Sequence, residues 1–538
     1  MVSNSQVEVK ISTGIVVGCK KKTLKETEYY SFQGIPYALP PIDDRKFKDP
    51  VPQTPWTEKF YCKEVNQCPQ LDTETNQISG DLDCLQLNVY SKQIKNEAEL
   101  SSGLLPVVVY IHGGAFVRNS SKPSIYGPDY LIEKDIVLVT INYRLGAYGF
   151  ISFEDPSIGI PGNAGLKDQL LALQWIKKNI KEFGGDPNNV TAVGSSAGAC
   201  SVHMHMLNPS SKRLFHKAVI QSGSALNCWS TIKPRTLDLA KALGWDGKGG
   251  EKSAYKCIQK ADSKTLIAAQ NKIITLEDLK CYTFYPFGPT VEPYVSENCF
   301  LPKTPIKMIL EDECWGLDLP VIFGVNSDEG LMLKSVIDKM PNVLSSTKGF
   351  ENALPFDLKD KKDADICKQL AEKVKSYYYK NETPSKDNIK CYINLMTDLF
   401  FAHGVRRAIH HQKGPKFIYK FAVDSPTNNL HRIKYCGKEV SGTCHADEVS
   451  YLFNSALSQK YEDGSMEQKS INTMTDLFSK FAHYKDKKSE WYKIWPEWTE
   501  NQQHVLQISN EGTEVIDGLF KERMEFWNDL YKSASSAL

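Results

Sequence analysis

The chain has 538 residues, of which 41% are hydrophobic, 11% aromatic and 24% charged. This composition provides a large hydrophobic core and excludes a disordered, collagen-like or coiled-coil chain. Lys and Arg number 65 against 64 Asp and Glu. Because the net charge is close to zero, it provides no overall attraction for nucleic acid or anionic membranes. We therefore expect a neutral small molecule as the binding partner.

The N-terminus and the cysteines bear on location and metal binding. The first residues contain no apolar segment behind a basic start, and no window approaches the roughly 18 uncharged apolar residues of a membrane helix. We expect a cytoplasmic protein without a membrane span, or a secreted one if a signal peptide precedes this sequence. The 14 cysteines include no C-x-x-C pair, so we predict no metal site and no cofactor.

Strand-like apolar runs alternate with helical stretches, which predicts a mostly parallel sheet covered on both faces. Continuous β-branched runs predict buried strands over 106–111 and 135–142. An apolar stripe of helical spacing extends from Asn163 to Phe183 and stops at a Gly-Gly-Asp-Pro turn. This segment is expected to be the crossover helix before a strand over 189–194. Further strands are predicted over 217–220, 319–323 and 416–421.

A stretch rich in Lys and Asp lies between the last two predicted strands, from about Asp357 to Lys390, and has helical patterning. It predicts a helical lid, inserted around residues 340–400 over the carboxyl edge of the sheet. The sequence contains no internal repeat and no low-complexity segment. We therefore expect a single domain over residues 1–538.

A nucleophile motif, Gly194-Ser195-Ser196-Ala197-Gly198, separates a predicted strand from a predicted helix. In such a G-x-S-x-G elbow the glycines allow a sharp turn, and the central residue, Ser196, stands above the sheet. A serine nucleophile needs a histidine base oriented by a carboxylate, in the chain order serine, acid, histidine. Glu329 and His445 follow Ser196 in this order, and Asp328 is the rival carboxylate beside Glu329.

A glycine-containing loop, His112-Gly113-Gly114-Ala115-Phe116, directly follows the strand predicted over 106–111. Acyl transfer requires donors for the oxyanion that forms at the attacked carbonyl. The loop matches the type that supplies backbone N–H groups in esterases and lipases. The third donor is expected to be the N–H of Ala197, the residue after the nucleophile.

With these motifs the chain resembles the type-B carboxylesterase/cholinesterase family, and within it the intracellular insect α-esterases. The shared segments extend over nearly the whole length: 30–38, 83–89, 126–130, 142–146, 162–169, 183–187, 287–293 and 445–448. The resemblance implies an α/β-hydrolase fold and a serine carboxylesterase that cleaves apolar esters through an acyl-enzyme intermediate.

The family pattern also assigns roles to single residues. It makes Ser196 the nucleophile, His445 the general base and Glu329, immediately before a glycine, the orienting acid. The oxyanion donors are then Gly114, Ala115 and Ala197. Four aromatic residues are candidates for the acyl and alcohol pockets: Phe116, Trp229, Tyr285 and Phe287.

Further implications concern the frame of the molecule and its partners. Arg144 and Asp168 correspond to a family ion pair of structural type, and Cys68 to Cys84 matches the family's first disulfide loop. Expected partners are small ester substrates and organophosphate or carbamate inhibitors, with a role in xenobiotic or insecticide detoxification. Whether the protein forms a homodimer stays open.

Three positions depart from the family pattern. Ser195 replaces the Glu that many relatives have before the nucleophile, and Ala115 replaces a glycine, so that its methyl group could narrow the cleft. Leu82 replaces a Glu that usually pairs with the residue at Arg45. The loop from Cys68 to Cys84 also lacks the tryptophan that binds choline through cation–π contact, which argues against acetylcholine as substrate.

Two alternatives to a turning-over carboxylesterase stay open. One is a binding protein of the same fold, either a slow esterase that sequesters acylating toxicants or a catalytically silent adhesion module. The other is a juvenile-hormone-type esterase. Retention of Ser196, Glu329 and His445 favours the enzyme over the adhesion module.

Overall fold

The computed structural model describes residues 6–72, 75–94, 103–340, 343, 347–359, 363–380, 382–485 and 491–536. The strands of this part are β1 (Gln6–Ile11), β2 (Gly14–Lys22), β3 (Glu28–Pro36), β4 (Phe60–Tyr61), β5 (Gln70–Leu71), β6 (Ile78–Ser79), β7 (Gln86–Ser91), β8 (Leu105–Ile111), β9 (Val137–Ile141), β10 (Gly185–Ser195), β11 (Lys217–Gln221), β12 (Val321–Asn326), β13 (Lys416–Ala422), β14 (His504–Ser509) and β15 (Gly512–Asp517).

The α-helices of the described part are α1 (Gly146–Phe150), α2 (Ala164–Asn179), α3 (Ala197–Leu207), α4 (Thr236–Ala242), α5 (Gly250–Lys260), α6 (Ser263–Lys272), α7 (Leu276–Lys280), α8 (Pro305–Leu310), α9 (Lys334–Lys339), α10 (Thr347–Asn352), α11 (Phe356–Lys359), α12 (Ala364–Tyr379), α13 (Ile389–Thr397), α14 (His403–His411), α15 (Leu430–Cys436), α16 (Met466–His483), α17 (Trp491–Ile494) and α18 (Lys521–Ser536).

One large sheet is built from 13 strands in the order β1-β2-β3-β7-β9-β8-β10-β11-β12-β13-β14-β15, with β4 paired to β2. Neighbouring strands from β9 to β14 are parallel. The pairs outside this central part are antiparallel, apart from β2 with β4. Strands β9, β11 and β12 are buried at every residue, as expected for a sheet covered on both faces. The predicted mostly parallel sheet is confirmed.

Most predicted strands coincide with observed ones. Those predicted over 106–111, 135–142, 217–220 and 416–421 are β8, β9, β11 and β13, with ends shifted by at most two residues. Strand β12 starts later than predicted and is longer, because its last residues also pair with β13. Strand β10 starts earlier than predicted, because Gly185 pairs with β8 before the register breaks.

The crossover helix follows its apolar stripe. Helix α2 ends at Asn179, and a 3-10 turn continues to Phe183, as the stripe predicted. Gly184 then adopts a left-handed φ of 78° and donates its N–H to the carbonyl of Lys181. Glycine adopts this conformation without steric cost, so it ends the helix and directs the chain into β10.

The insertion between β12 and β13 is helical, but it is not one helix. Helix α12 ends where Lys380 adopts a φ of 53°, and α13 begins only at Ile389. Helix α13 then continues through a π-helical turn, Asp398–Ala402, into α14. Part of the predicted lid, at 341–342, 344–346, 360–362 and 381, lies outside the described residues.

The first disulfide loop has the pairing that the resemblance implied. Cys68 and Cys84 form a disulfide bond. Arg45 donates from Nε to the carbonyl of Pro40 at 3.2 Å, and no carboxylate of the described residues pairs with it. This is consistent with Leu82 occupying the position of the usual Glu.

A buried ion pair joins the segment after β9 to helix α2. Arg144 donates from Nη2 and Nε to the carboxylate of Asp168 at 2.6 and 2.8 Å, and its backbone N–H adds a third hydrogen bond at 3.0 Å. The remaining nitrogen, Nη1, donates to the carbonyl of Lys48 at 2.7 Å. The two side chains are 1% and 0% exposed. Removing one partner would therefore leave the other charge buried and unpaired.

We expect Asp168→Asn to lower the free energy of unfolding by about 3–5 kcal/mol, because the Arg144 guanidinium loses its counter-charge in a dry environment. Urea denaturation measures the change. The control is Asp517→Asn, which breaks an exposed pair with Lys521 at 2.7 Å and should have no measurable effect. Equal stability of the Asp168→Asn variant and the parent would contradict the structural role of the pair.

Candidate active site

Ser196 lies at the sharp turn between β10 and α3. Its φ of 59° and ψ of −122° are rarely adopted by a non-glycine residue, and such strained backbone concentrates at functional sites. A Cβ at Gly194 would lie 2.3 Å from the carbonyl carbon of Gly198, and one at Gly198 would lie 2.0 Å from the carbonyl oxygen of Ile111. The close packing of the turn against β8 therefore requires both glycines.

His445 and Glu329 meet beyond the carboxyl ends of β12 and β13. His445 Nδ1 lies 2.6 Å from Glu329 Oε2, and the two side chains are 5% and 0% exposed. The other carboxylate oxygen, Oε1, accepts from the N–H of Asn326 at 2.7 Å and from the hydroxyl of Ser222. A carboxylate fixed on both oxygens holds the imidazole in one orientation and leaves Nε2 outside this contact.

Asp328, the neighbouring carboxylate, has different partners. It contacts the ammonium group of Lys390 and accepts from the hydroxyl of Ser327 at 2.6 Å. Burial acts to raise the pKa of Asp328, but the ammonium of Lys390 outweighs this effect and the pKa lies below its usual value. Of the two adjacent carboxylates, Glu329 is the one that contacts the histidine.

The loop after β8 presents unbonded backbone donors. Among the described residues, the N–H groups of Gly114, Ala115 and Ala197 have no acceptor. A Cβ at Gly114 would lie 2.2 Å from the carbonyl oxygen of Arg118, so this position requires glycine. Ala115 has a left-handed φ of 54° and lines the same cavity as Ser196. Ala115 therefore borders the space where a substrate would bind.

Hydrogen bonds fix this loop from both ends. The hydroxyl of Tyr143 donates to the carbonyl of His112 at 2.9 Å. The N–H of Gly146 donates to the carbonyl of Phe116 at 2.7 Å. The donors of the loop are thus held in place by the segment after β9, without a bound ligand.

A single deep cavity contains both Ser196 and His445 and has a volume of about 1120 Å³. Of the aromatic residues expected in the pockets, Phe116, Trp229 and Tyr285 line it. Phe287 is fully buried in the hydrophobic core and is not among the residues that line the cavity. Its contact with a substrate stays a prediction.

Much of the cavity wall comes from residues without a motif. The ring of Phe401 lies 4.2 Å from that of His445, centroid to centroid. Phe400 and Phe401 belong to the π-helical turn of the insertion, and Trp229 Nε1 donates to the carbonyl of Phe400 at 2.6 Å. The helical patterning of the insertion indicated a covering element, but no sequence signal marks a π-helical turn or its contact with a distant histidine.

A second buried carboxylate, Glu448, lies behind the His445–Glu329 pair. It accepts from Ser195 Oγ at 3.2 Å, from Asn326 Nδ2 at 2.5 Å and from Gln221 Nε2 at 3.4 Å. Burial, followed by the negative charge of Glu329, raises the pKa of Glu448 to about 7. Ser195 contributes a hydroxyl at the position where many relatives have a Glu. The cluster therefore has one acidic group fewer than it would have with Glu at this position.

The described ranges contain neither a cluster of metal ligands nor a membrane-spanning helix. Within the described ranges, no group of three or more His, Cys, Asp or Glu side chains is placed to hold a metal ion. No helix in these ranges is long and apolar enough to cross a bilayer.

The chain is similar to known proteins over nearly its whole length. The model of the carboxylesterase family matches residues 5–527. The chain is 38% identical to Esterase B1 of Culex pipiens, covering 98% of this chain and 99% of that protein. It is 32% identical to Esterase FE4 of Myzus persicae, covering 91% of this chain and 86% of that protein.

The fold is also found in a solved structure. The juvenile hormone esterase of Manduca sexta, with OTFP covalently attached, superimposes with a TM-score of 0.85 at 24% identity, covering 98% of this chain and all of that one. The α/β-hydrolase fold expected from the sequence is confirmed.

The raised pKa of Glu448 implies that the free energy of unfolding depends on pH. Because the folded state binds this proton more tightly than the unfolded state, the group stabilises the fold at low pH, and that contribution is lost as pH rises through about 7. We expect Glu448→Gln to reduce the loss of stability between about pH 5 and about pH 8 by about 2 kcal/mol. Urea denaturation at both pH values measures it, with the exposed Glu277→Gln as control. An unchanged loss would show that Glu448 does not titrate in this range.

Proposed function

The chain belongs to the carboxylesterase family and is a carboxylic ester hydrolase, and from this we propose that it works as a serine esterase through an acyl-enzyme on Ser196. The observation that carries the proposal is the 2.6 Å contact between His445 and the buried Glu329, in a cavity that also contains Ser196. A base, its orienting acid and a nucleophile on a strained turn are thus present together.

Each residue has a defined step in this mechanism. Ser196 Oγ attacks the ester carbonyl while His445 Nε2 takes its proton. The negative charge that develops on the carbonyl oxygen is stabilised by the N–H groups of Gly114, Ala115 and Ala197, which have no competing acceptor in the described part of the chain. His445 then gives the proton to the leaving alcohol. In the second half of the reaction His445 takes a proton from water, which attacks the acyl carbonyl, and gives that proton to Ser196 Oγ as the carboxylic acid leaves.

The environment of Glu329 supports its role as the orienting acid. Its side chain is fully buried, and its second oxygen is held by Asn326 and Ser222. In such a site the carboxylate does not reorganise when His445 becomes charged, and it stabilises the imidazolium that forms in each transfer.

The preferred substrates are proposed to be apolar esters, including xenobiotics, with organophosphates and carbamates as acylating inhibitors. Aromatic and aliphatic residues form most of the cavity wall, among them Trp229, Tyr285, Phe400 and Phe401. The volume of about 1120 Å³ exceeds the usual range of roughly 300–1,000 Å³ for ligand pockets, so long acyl or alcohol chains would fit.

Ser196→Ala should abolish hydrolysis of 4-nitrophenyl butyrate and stoichiometric labelling by an organophosphate, because no other group in the mechanism can form the covalent bond. Turnover and mass spectrometry of the labelled protein measure both effects, and the urea midpoint shows whether the variant is folded. Labelling of a folded variant with retained stoichiometry at another residue would refute the assignment.

Glu329→Gln should lower kcat by roughly 10⁴-fold, because an amide cannot stabilise the imidazolium or hold the same tautomer. The matched control is Asp328→Asn, which changes the adjacent carboxylate that contacts Lys390 and should leave kcat near the parent value. The opposite pattern would mean that Asp328 is the acid.

Continuous turnover distinguishes an esterase from a sequestering protein. With 4-nitrophenyl butyrate in large excess, we expect product release to continue far beyond one equivalent per enzyme, because His445 lies in the cavity and can take a proton from the water that cleaves the acyl-enzyme. Release that stops at one equivalent would favour the sequestering alternative.

A further inference from the structure

In the described part of the chain, the charged residues that line the cavity with Ser196 are all basic. Among the described residues that line it are Arg118, Lys233, Lys339 and Lys359, whereas no Asp or Glu lines it. The chain as a whole is nearly neutral, so this imbalance is local. A cleft with apolar walls and charges of one sign focuses the electrostatic potential and attracts ligands of the opposite sign.

Arg118 is the cation nearest to the oxyanion loop along the chain. Its backbone N–H donates to the carbonyl of Gly114 at 3.1 Å, which fixes it to the loop that carries the proposed donors. Its side chain is half-buried, and Nη2 donates to the hydroxyl of Tyr285 at 3.2 Å. The guanidinium carbon lies 5.9 Å from the ring centroid of Tyr285, so this ring supports the side chain.

The guanidinium of Arg118 has no carboxylate partner among the described residues, unlike two other buried arginines. Arg144 is paired with Asp168 at 2.6 Å, and Arg432 with Asp424 at 3.4 Å. A guanidinium is always charged and has five N–H donors in a planar fork. The contact with Tyr285 uses one of them and leaves the others for a ligand in the cavity.

The lysines extend the positive charge toward solvent. Lys233 and Lys339 are exposed residues of the cavity lining, and Lys359 donates from Nζ to the carbonyl of Asn352 at 2.9 Å. A negative group on a ligand would therefore meet positive charge at the exposed part of the lining and again at Arg118.

We propose that Arg118 determines specificity for anionic esters, in which an apolar chain carries a carboxylate remote from the bond that is cleaved. The planar fork of Arg118 matches a carboxylate in two parallel hydrogen bonds, and the apolar walls accept the connecting chain. A cationic group in the same position would be repelled by the guanidinium of Arg118. The proposal rests on the ester hydrolysis proposed above and adds the class of substrate.

Three 4-nitrophenyl esters of one chain length test the proposal: the hydrogen suberate, which is anionic, its neutral methyl ester, and 8-(trimethylammonio)octanoate, which is cationic. We expect kcat/KM in the parent enzyme to be at least about tenfold higher for the anionic than for the cationic ester. The difference should shrink as salt is added, since screening weakens the attraction.

Arg118→Met should lower the ratio of kcat/KM for the anionic ester to that for the neutral ester by about tenfold or more. Arg118→Lys retains the charge without the fork and should give an intermediate ratio. The control, Arg213→Met, removes the same charge at an exposed position outside the cavity lining and should leave the ratio unchanged. An unchanged ratio in Arg118→Met would overturn the proposal.

Inhibition of the parent enzyme provides a second test that needs no variant. Octanoate should inhibit hydrolysis of the neutral ester with an inhibition constant at least about tenfold lower than that of octyltrimethylammonium. Equal inhibition, or tighter binding of the ammonium, would overturn the proposal. If none of the esters were cleaved, the proposed serine esterase function would fail instead, which is a distinguishable result.

Discussion

The active-site geometry depends on the contact between Gly198 and the end of β8, where any side chain at Gly198 would collide with the carbonyl of Ile111. This contact brings the turn after β10 against the loop after β8. Gly113 of that loop also packs closely against the turn, since a Cβ there would lie 2.6 Å from the carbonyl oxygen of Ser195. The nucleophile and the proposed oxyanion donors are thus adjacent because two neighbouring parallel strands end at the same edge of the sheet.

The histidine and its acid reach the same edge from the other side of β10. Glu329 follows β12, and His445 lies in the connection after β13. Asn326, the last residue of β12, donates its N–H to Glu329 and its amide to both Glu448 and the carbonyl of Cys444. One strand end therefore holds two carboxylates and the histidine loop. The raised pKa of Glu448 limits the negative charge that accumulates in this dry cluster.

The sheet and the insertion contribute different parts of the site. Loops at the strand ends provide Ser196, His445 and the backbone donors, which are the reacting groups of the proposed mechanism. The insertion between β12 and β13 provides Phe400 and Phe401, which line the cavity, and the ring of Phe401 packs against His445. Arg118 follows the oxyanion loop and is fixed to it, as the reacting groups are fixed to the strand ends. Its proposed role, however, is the selection of substrates. Among the described residues, a nearly neutral chain thus has a cavity whose charged lining side chains are all basic.

The sequence by itself determined the parallel strands, the nucleophile elbow and the oxyanion loop, because each is encoded in a few consecutive residues. β-Branched runs between turn signals form buried strands wherever they lie in the chain, and the elbow is a consecutive G-x-S-x-G pattern in which Gly194 packs directly against Gly198. The order of Ser196, Glu329 and His445 could also be read from the sequence. The choice between Asp328 and Glu329 depended on the resemblance to a family, since both are adjacent carboxylates in one loop.

Only the tertiary structure decided which distant groups meet. It directs Glu329 to His445 and Asp328 to Lys390, it buries Phe287 in the core, and it brings Phe401 of the π-helical turn over the histidine. Such contacts join residues far apart in the chain, and their side chains have the same local preferences whether they line a cavity or fill a core. The packing of the insertion on the sheet distinguishes these cases, and no short sequence pattern encodes it.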